Sequence, residues 1–82
     1  MEKQTFDKAL GKFIRKKRED NGWTQADLAS KIGHNYQNVS RIERGEHSPT
    51  LYWCMEFLAP AFEMGASEFV DDFEKFKLKK SL

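Results

Sequence analysis

A short polar stretch between Asn35 and Gly45 carries the side chains with the most specific chemistry. If it forms a helix, its outward side chains are Tyr36, Gln37, Asn38, Ser40, Arg41 and Arg44. None of these is acidic, and almost all can hydrogen-bond a base edge or a phosphate. The Gln37 amide suits the N6 and N7 atoms of adenine, and the Arg41 guanidinium suits O6 and N7 of guanine. This face therefore has the composition needed to read double-stranded DNA in the major groove.

Two short helices must position that face. Thr24 to Asp27 resembles a capping box, with Asp in place of the longer Glu, and it opens a helix that Gly33 ends. Asn35 is a suitable N-cap for the next helix. A turn of about three residues around Gly33 allows two helices to cross steeply. The inward side chains are apolar or small: Leu28, Ala29, Ile32, Val39 and Ile42. Residues 24–45 are thus predicted to form a helix-turn-helix, with its outward helix over about residues 35–44.

Three further helices are predicted around this pair. The first covers Phe6 to Asp20 and ends at Asn21-Gly22. The fourth begins at Pro49 or Thr50, with Ser48 as its N-cap. Its predicted apolar face comprises Leu51, Cys54, Phe57 and Leu58. Pro60 should end or kink it.

The fifth helix is expected over about residues 67–78, capped by Ser67. Its Phe69, Phe73 and Phe76 lie along one face at helical spacing. This stripe could fold back as core, or part of it could form a dimer patch together with Leu78 or Trp53. The chain of 82 residues is accordingly predicted to be a single all-α domain of five helices.

Charge is divided unevenly along the chain. Residues 1–45 contain ten Lys and Arg against six Asp and Glu, whereas residues 46–82 contain four against seven. The basic half suits a polyanion and the acidic half suits some other task, although chance clustering on solvated faces would give the same pattern. Lys12, Arg15 and Lys16 could contact a phosphate backbone or simply form a solvated helix face.

The sequence TQADLASKIGHNYQNVSRIERGEHSPT resembles the lambda-repressor-like (XRE/Cro) helix-turn-helix family. The resemblance covers roughly residues 8 to 69. It rests on Arg18, the entry Gly22-Trp23-Thr24-Gln25, Leu28-Ala29, Gly33, Val39, Ile42, Glu43-Arg44-Gly45 and Pro49. The segment between Pro60 and Ala66 departs from the family, because the step from the fourth to the fifth helix is longer and more broken.

The resemblance implies a role for each matching residue. Gln25 and Arg44 match positions that contact DNA phosphates, while Tyr36, Gln37 and Arg41 match positions that read the major groove. Arg18 and Glu43 match a structural pair that joins the first and third helices. Asn38 and Ser40 are further candidates for phosphate or solvent contact, and Tyr36 could contact a base or only cover the turn.

These features together predict a sequence-specific transcriptional regulator, most simply a repressor. It would bind a pseudo-palindromic operator as a homodimer, because one recognition helix reaches only a few base pairs. The alternative is an antitoxin or adaptor whose main partner is a protein, bound through the acidic C-terminal half.

Other function classes receive little support from the sequence. His34, His47 and Cys54 are too few and too irregularly spaced for a zinc site, and no cofactor is expected. Adjacent carboxylates at Asp71 and Asp72 diverge on a helix, so an enzyme is not expected. A single cysteine and the lack of a long apolar run favour a cytoplasmic protein without a membrane span. Cys54 could be a core thiol or a redox sensor.

Overall fold

A computed structural model describes residues 1–81 of the chain. These residues form five helices and the turns that connect them. They are α1 (Lys3–Asp20), α2 (Gln25–Ile32), α3 (Tyr36–Glu43), α4 and α5 (Ala66–Ser81). Helix α4 consists of three consecutive segments: α-helical Leu51–Trp53, π-helical Cys54–Leu58 and α-helical Ala59–Ala61. Residues 1–81 contain no β-strand. The all-α, five-helix prediction is therefore confirmed.

The helices belong to two units of the chain. Residues 1–49 contain α1 to α3, and the second unit begins at Thr50 and contains α4 and α5. A single domain over the whole chain stays a prediction.

Helix α1 begins three residues earlier than the apolar pattern indicates. Its first residues are polar and carry no periodic signal, but Lys3 and Asp7 form an ion pair one turn apart, with 2.8 Å between Nζ and Oδ2. Such pairs stabilise the end of a helix modestly. The helix ends at Asn21-Gly22 as predicted, and Gly22 takes a positive φ of 73°.

The local signals for α2 and α3 agree with the structure. Thr24 accepts a hydrogen bond from the backbone N–H of Asp27, whose carboxylate accepts one from the N–H of Thr24, at 3.0 and 2.8 Å. Gly33 ends α2 in the left-handed conformation, at φ 69°. Asn35 caps α3 by accepting a hydrogen bond from the N–H of Asn38. Residues 24–45 thus form two short helices joined by a three-residue turn.

The apolar residues of both helices are buried, as their spacing predicts. These are Leu28, Ala29 and Ile32 on α2 and Val39 and Ile42 on α3. Helix α3 packs against both α1 and α2. The opposite side of α3 is left to solvent, because a helix has only one apolar face here.

A glycine that the sequence analysis did not single out sets how closely α1 and α3 approach. A Cβ at Gly11 would lie 2.6 Å from the carbonyl oxygen of Glu43 and closer still to that of Ile42. Backbone atoms on both sides make this contact, so no flexible side chain can move to relieve it. The two helices can therefore pack at this distance only because residue 11 lacks a side chain.

Helix α4 departs most from its prediction. Thr50, not Ser48, caps it by accepting a hydrogen bond from the N–H of Trp53, and Pro49 lies outside the helix. Leu51 is 69% exposed and Phe57 is 40% exposed, whereas Leu58 is fully buried. The expected apolar face is wrong because a π-helical segment holds more residues per turn and shifts the face along the helix.

The π-helical segment lies immediately before Pro60. The proline ring conflicts with the carbonyl one α-turn earlier and has no N–H to donate. The helix becomes wider there, because the N–H of Ala59 donates to the carbonyl of Cys54, five residues earlier. The helix then ends at Ala61, followed by Glu63 with a positive φ of 58°.

Helix α5 is longer than expected. It begins at Ala66, and the carbonyl of Gly65 accepts the first helical hydrogen bond from Phe69. Ser67 therefore lies inside the first turn and is not the cap. Phe69 and Phe73 are buried and Phe76 is half-buried, so the first two are not available to a dimer patch.

Replacing Gly11 tests the contact between α1 and α3. We expect Gly11→Ala to lower the free energy of unfolding by about 1–3 kcal/mol, because overpacking outweighs the better helix propensity of alanine. Urea denaturation followed by circular dichroism measures it. Lys12→Ala, on an exposed position of the same helix, should change stability by less than about 0.5 kcal/mol. Equal stability of the two variants would contradict the close approach.

Candidate nucleic-acid interface

The exposed face of α3 presents three of the predicted base-reading side chains. Tyr36, Gln37 and Arg41 are all exposed. Within residues 1–81, the side chains of Gln37 and Arg41 form no hydrogen bond. Their donors and acceptors are therefore not committed to the protein itself.

Asn38 and Ser40 are more enclosed than the sequence suggests. Both are half-buried. The Asn38 amide nitrogen lies 3.4 Å from Nδ1 of His34, and the Ser40 hydroxyl accepts a hydrogen bond from Nη1 of Arg44. Both contacts join side chains four residues apart and orient the edges of the face, with His34 in the turn before α3.

Arg44 is held by a carboxylate that the sequence analysis did not consider. Its Nε donates to Oε2 of Glu46 at 2.8 Å and its Nη2 donates to Oε1 at 3.2 Å. This bond to Arg44 holds the pKa of the Glu46 carboxyl below its usual range and raises the pKa of the guanidinium. Gly45 takes a positive φ of 76° and folds residue 46 back towards α3. This glycine is the sequence signal that could have indicated the contact between Glu46 and Arg44.

A buried ion pair joins the first and third helices beneath this face. Arg18 donates from Nε to Oε2 of Glu43 at 2.7 Å and from Nη2 to Oε1 at 3.0 Å. Its Nη1 also donates to the carbonyl of Trp23 at 2.7 Å. Glu43 is the main reason that the pKa of Arg18 is raised. All three donor nitrogens of the guanidinium are satisfied, as a buried charge requires.

Gln25 belongs to the same network. Its Nε2 donates to Oε1 of Glu43 at 3.1 Å, and the side chain is half-buried at the start of α2. One amide N–H is thus used inside the protein, while the other is left for an external acceptor. The residues lie 18 positions apart, so only the packing of α2 against α3 brings them together.

The remaining basic candidates lie on α1. Arg15 pairs with Glu19 at 3.2 Å and Lys16 with Asp20 at 3.0 Å, both exposed and one turn apart. Lys12 is exposed as well. The local carboxylates offset part of the positive charge of this surface.

Cys54 is half-buried, and burial raises the pKa of its thiol to about 11. A thiol with that pKa is almost wholly protonated at neutral pH and is a poor nucleophile. This favours the core-thiol interpretation over the redox sensor.

No cluster of three His, Cys, Asp or Glu side chains suited to a metal ion occurs in residues 1–81. The helices that the structure describes are all too short or too polar to cross a membrane.

The model of the HTH_3 helix-turn-helix family matches residues 14–52, a range that contains α2, α3 and all residues of the buried network. The match covers a little under half of the chain, and this segment is similar to that family. The matched range includes Arg18, Gln25 and every candidate on α3.

Two solved structures share the fold. The clp gene regulator ClgR from Corynebacterium glutamicum is 21% identical, with a TM-score of 0.74 over 92% of this chain and 80% of that one. An HTH_3 family transcriptional regulator from Vibrio cholerae is 24% identical, with a TM-score of 0.75 over 89% of this chain. This chain spans only 41% of the Vibrio protein's length. None of the curated proteins compared matches the sequence.

The family match concerns the helix-turn-helix segment, and the two solved structures share the fold.

Removing one residue of the buried ion pair should destabilise the fold far more than removing one residue of an exposed ion pair. We expect Arg18→Met to lower the free energy of unfolding by about 3 kcal/mol or more, because Glu43 is left charged and buried. The double variant Arg18→Met/Glu43→Leu should recover part of that loss, since neither charge remains. Arg15→Met, which breaks the exposed pair with Glu19, should cost less than about 1 kcal/mol. Chemical denaturation of the four proteins compares them, and equal losses in the two single variants would contradict this account.

Proposed function

We propose that this protein is a sequence-specific regulator of transcription, acting as a repressor, and that α3 enters the major groove of its operator. The observation that carries the proposal is the exposed, acid-free face of α3 within a lambda-repressor-like helix-turn-helix. Binding at an operator would exclude polymerase by occupancy. A cytoplasmic location belongs to the same proposal.

Base reading is assigned to the two uncommitted side chains. Gln37 can accept from N6 and donate to N7 of adenine, and Arg41 can donate to O6 and N7 of guanine. Tyr36 begins α3, where its hydroxyl can reach a phosphate and its ring a thymine methyl. Asn38 and Ser40 would support these contacts from the half-buried edges of the face.

Backbone phosphates are assigned to Gln25 and Arg44. Gln25 lies at the N-terminus of α2, where the helix dipole favours an anion. Glu43 holds its amide, so the remaining N–H has a fixed direction. Arg44 lies at the other end of α3. Two phosphate contacts at opposite ends of the helix pair would fix the register of α3 in the groove.

We further propose that the protein binds as a homodimer on a pseudo-palindromic site. Two recognition helices double the number of base pairs that are read. Val70 and Leu78 of α5 are exposed apolar side chains, 47% and 66% exposed, and they support a self-complementary surface on this helix.

The function is tested by selecting bound duplexes from a random-sequence library at two salt concentrations and sequencing them. We expect an enriched inverted repeat whose half-site spacing is near one helical turn. Weak, salt-sensitive binding without enrichment would contradict the proposal and favour a protein partner instead.

Substitutions on α3 should change specificity as well as affinity. Gln37→Ala and Arg41→Ala should each lose about 1–3 kcal/mol of discrimination at one position of the half-site. The matched control is Gln4→Ala, an exposed amide at the start of α1, which should leave the enriched sequence unchanged. Fluorescence anisotropy with the selected duplex and its single-base variants measures both effects. If both variants bound all duplexes more weakly by the same factor, Gln37 and Arg41 would contact phosphates and would not read bases.

The oligomer is tested by Leu78→Glu. A charge on this exposed side chain should leave folding intact but weaken self-association at least tenfold in sedimentation experiments, because a carboxylate cannot be buried in an apolar interface. Leu51→Glu, on an equally exposed residue of α4, serves as the control. A wild-type protein that stays monomeric both free and on the selected duplex would rule out the dimer.

A further inference from the structure

We propose that Glu46 sets the DNA affinity of this protein by occupying the phosphate-binding edge of Arg44 in the free state. The inference rests on the function proposed above and adds a residue that the sequence analysis did not include. In this view a DNA phosphate must displace the Glu46 carboxylate before Arg44 can bind it through that edge.

The contact has the geometry of an anion bound to a guanidinium. Nε and Nη2 of Arg44 form one edge of the fork, and they donate to the two carboxylate oxygens of Glu46 at 2.8 and 3.2 Å. A phosphate is held by arginine in the same bidentate manner. Nη1 donates to the Ser40 hydroxyl, so all three nitrogens already have an acceptor within the protein.

The backbone keeps Glu46 in this place. Gly45 takes a positive φ of 76°, and the N–H of Glu46 donates to the carbonyl of Arg41 at 2.9 Å. This hydrogen bond folds residue 46 back over the end of α3. A Cβ at Gly45 would lie 2.9 Å from Cα of Lys8, so the turn is also fixed against α1.

The carboxylate also alters the charge of the proposed interface. The outward face of α3 has no acidic residue, but Glu46 places a carboxylate beside Arg44. Arg44, and to a smaller extent Arg41, lower the pKa of the Glu46 carboxyl. Glu46 therefore competes with phosphate for Arg44 and repels the DNA backbone. Both effects weaken binding in the wild-type protein.

Replacing Glu46 with glutamine removes the charge and keeps the shape. We expect Glu46→Gln to bind the selected duplex about two- to fivefold more tightly at low salt, the range for an exposed ion pair. The gain should shrink as salt rises, because screening weakens both the pair and the repulsion. The measurement is fluorescence anisotropy across a salt series.

The effect must act through Arg44. In an Arg44→Met background, Glu46→Gln should therefore gain distinctly less than it does in the wild type, as a double-mutant cycle shows. Asp71→Asn removes the same charge from an exposed carboxylate of α5 and is the matched control, with little change expected. Unchanged or weaker binding by Glu46→Gln would overturn the inference. So would an equal gain in Asp71→Asn or an undiminished gain in the Arg44→Met background.

A measurement without DNA separates this inference from the proposed function. The Glu46 carboxyl titration, followed by NMR, should show a pKa below the usual range in wild type and a return towards that range in Arg44→Met. A normal pKa in the wild type would overturn the inference even if the protein binds DNA. A depressed pKa in a protein that binds no duplex would retain the ion pair but refute the DNA-binding function and the role that we assign to Glu46.

Discussion

The buried pair of Arg18 and Glu43 is the interaction on which the arrangement of α1, α2 and α3 depends. Two charges removed from water are tolerated only when every donor and acceptor finds a partner in good geometry. Here Arg18 bonds both carboxylate oxygens and the carbonyl of Trp23, and Gln25 supplies one more donor to Glu43. The network therefore connects the end of α1, the start of α2 and the last residue of α3. Gly11 lets α1 approach the same end of α3 closely enough for the pair to form.

This constraint determines which side of α3 faces outward. With Val39, Ile42 and Glu43 directed inward, the 3.6-residue period leaves Gln37 and Arg41 exposed. The same network orients Gln25, so structural and proposed phosphate-binding roles share one set of hydrogen bonds. Beyond the end of α3, the Gly45 turn returns a carboxylate to the surface. The proposed interface is thus the exposed face of α3, with Glu46 at its edge competing with phosphate for Arg44.

In helix α4 the 3.6-residue period of an α-helix does not predict which side chains share a face. Tyr52 and Phe57 are five residues apart and would not share a face of an α-helix, yet their rings meet edge to face with centroids 6.0 Å apart. The π-helical segment before Pro60 brings them together. Leu51 and Phe57 are consequently exposed, whereas Leu58 is fully buried. A local conflict at one proline therefore redistributes the apolar side chains of the whole helix.

The sequence by itself determined the number and type of the helices, the turn at Gly33 and the exposed face of α3. These depend on short-range effects: capping by Thr24 and Asn35, left-handed glycines and apolar spacing. Only the tertiary structure decided that Gln25 bonds Glu43 and that α1 needs Gly11, because these contacts join residues 18 or more positions apart. The pairing of Glu46 with Arg44 and the π-helical segment of α4 have local causes, the Gly45 turn and Pro60, but residue types alone do not show how the backbone responds at either place. Contacts between distant residues depend on the packing of the helices, which residue spacing along one helix does not encode.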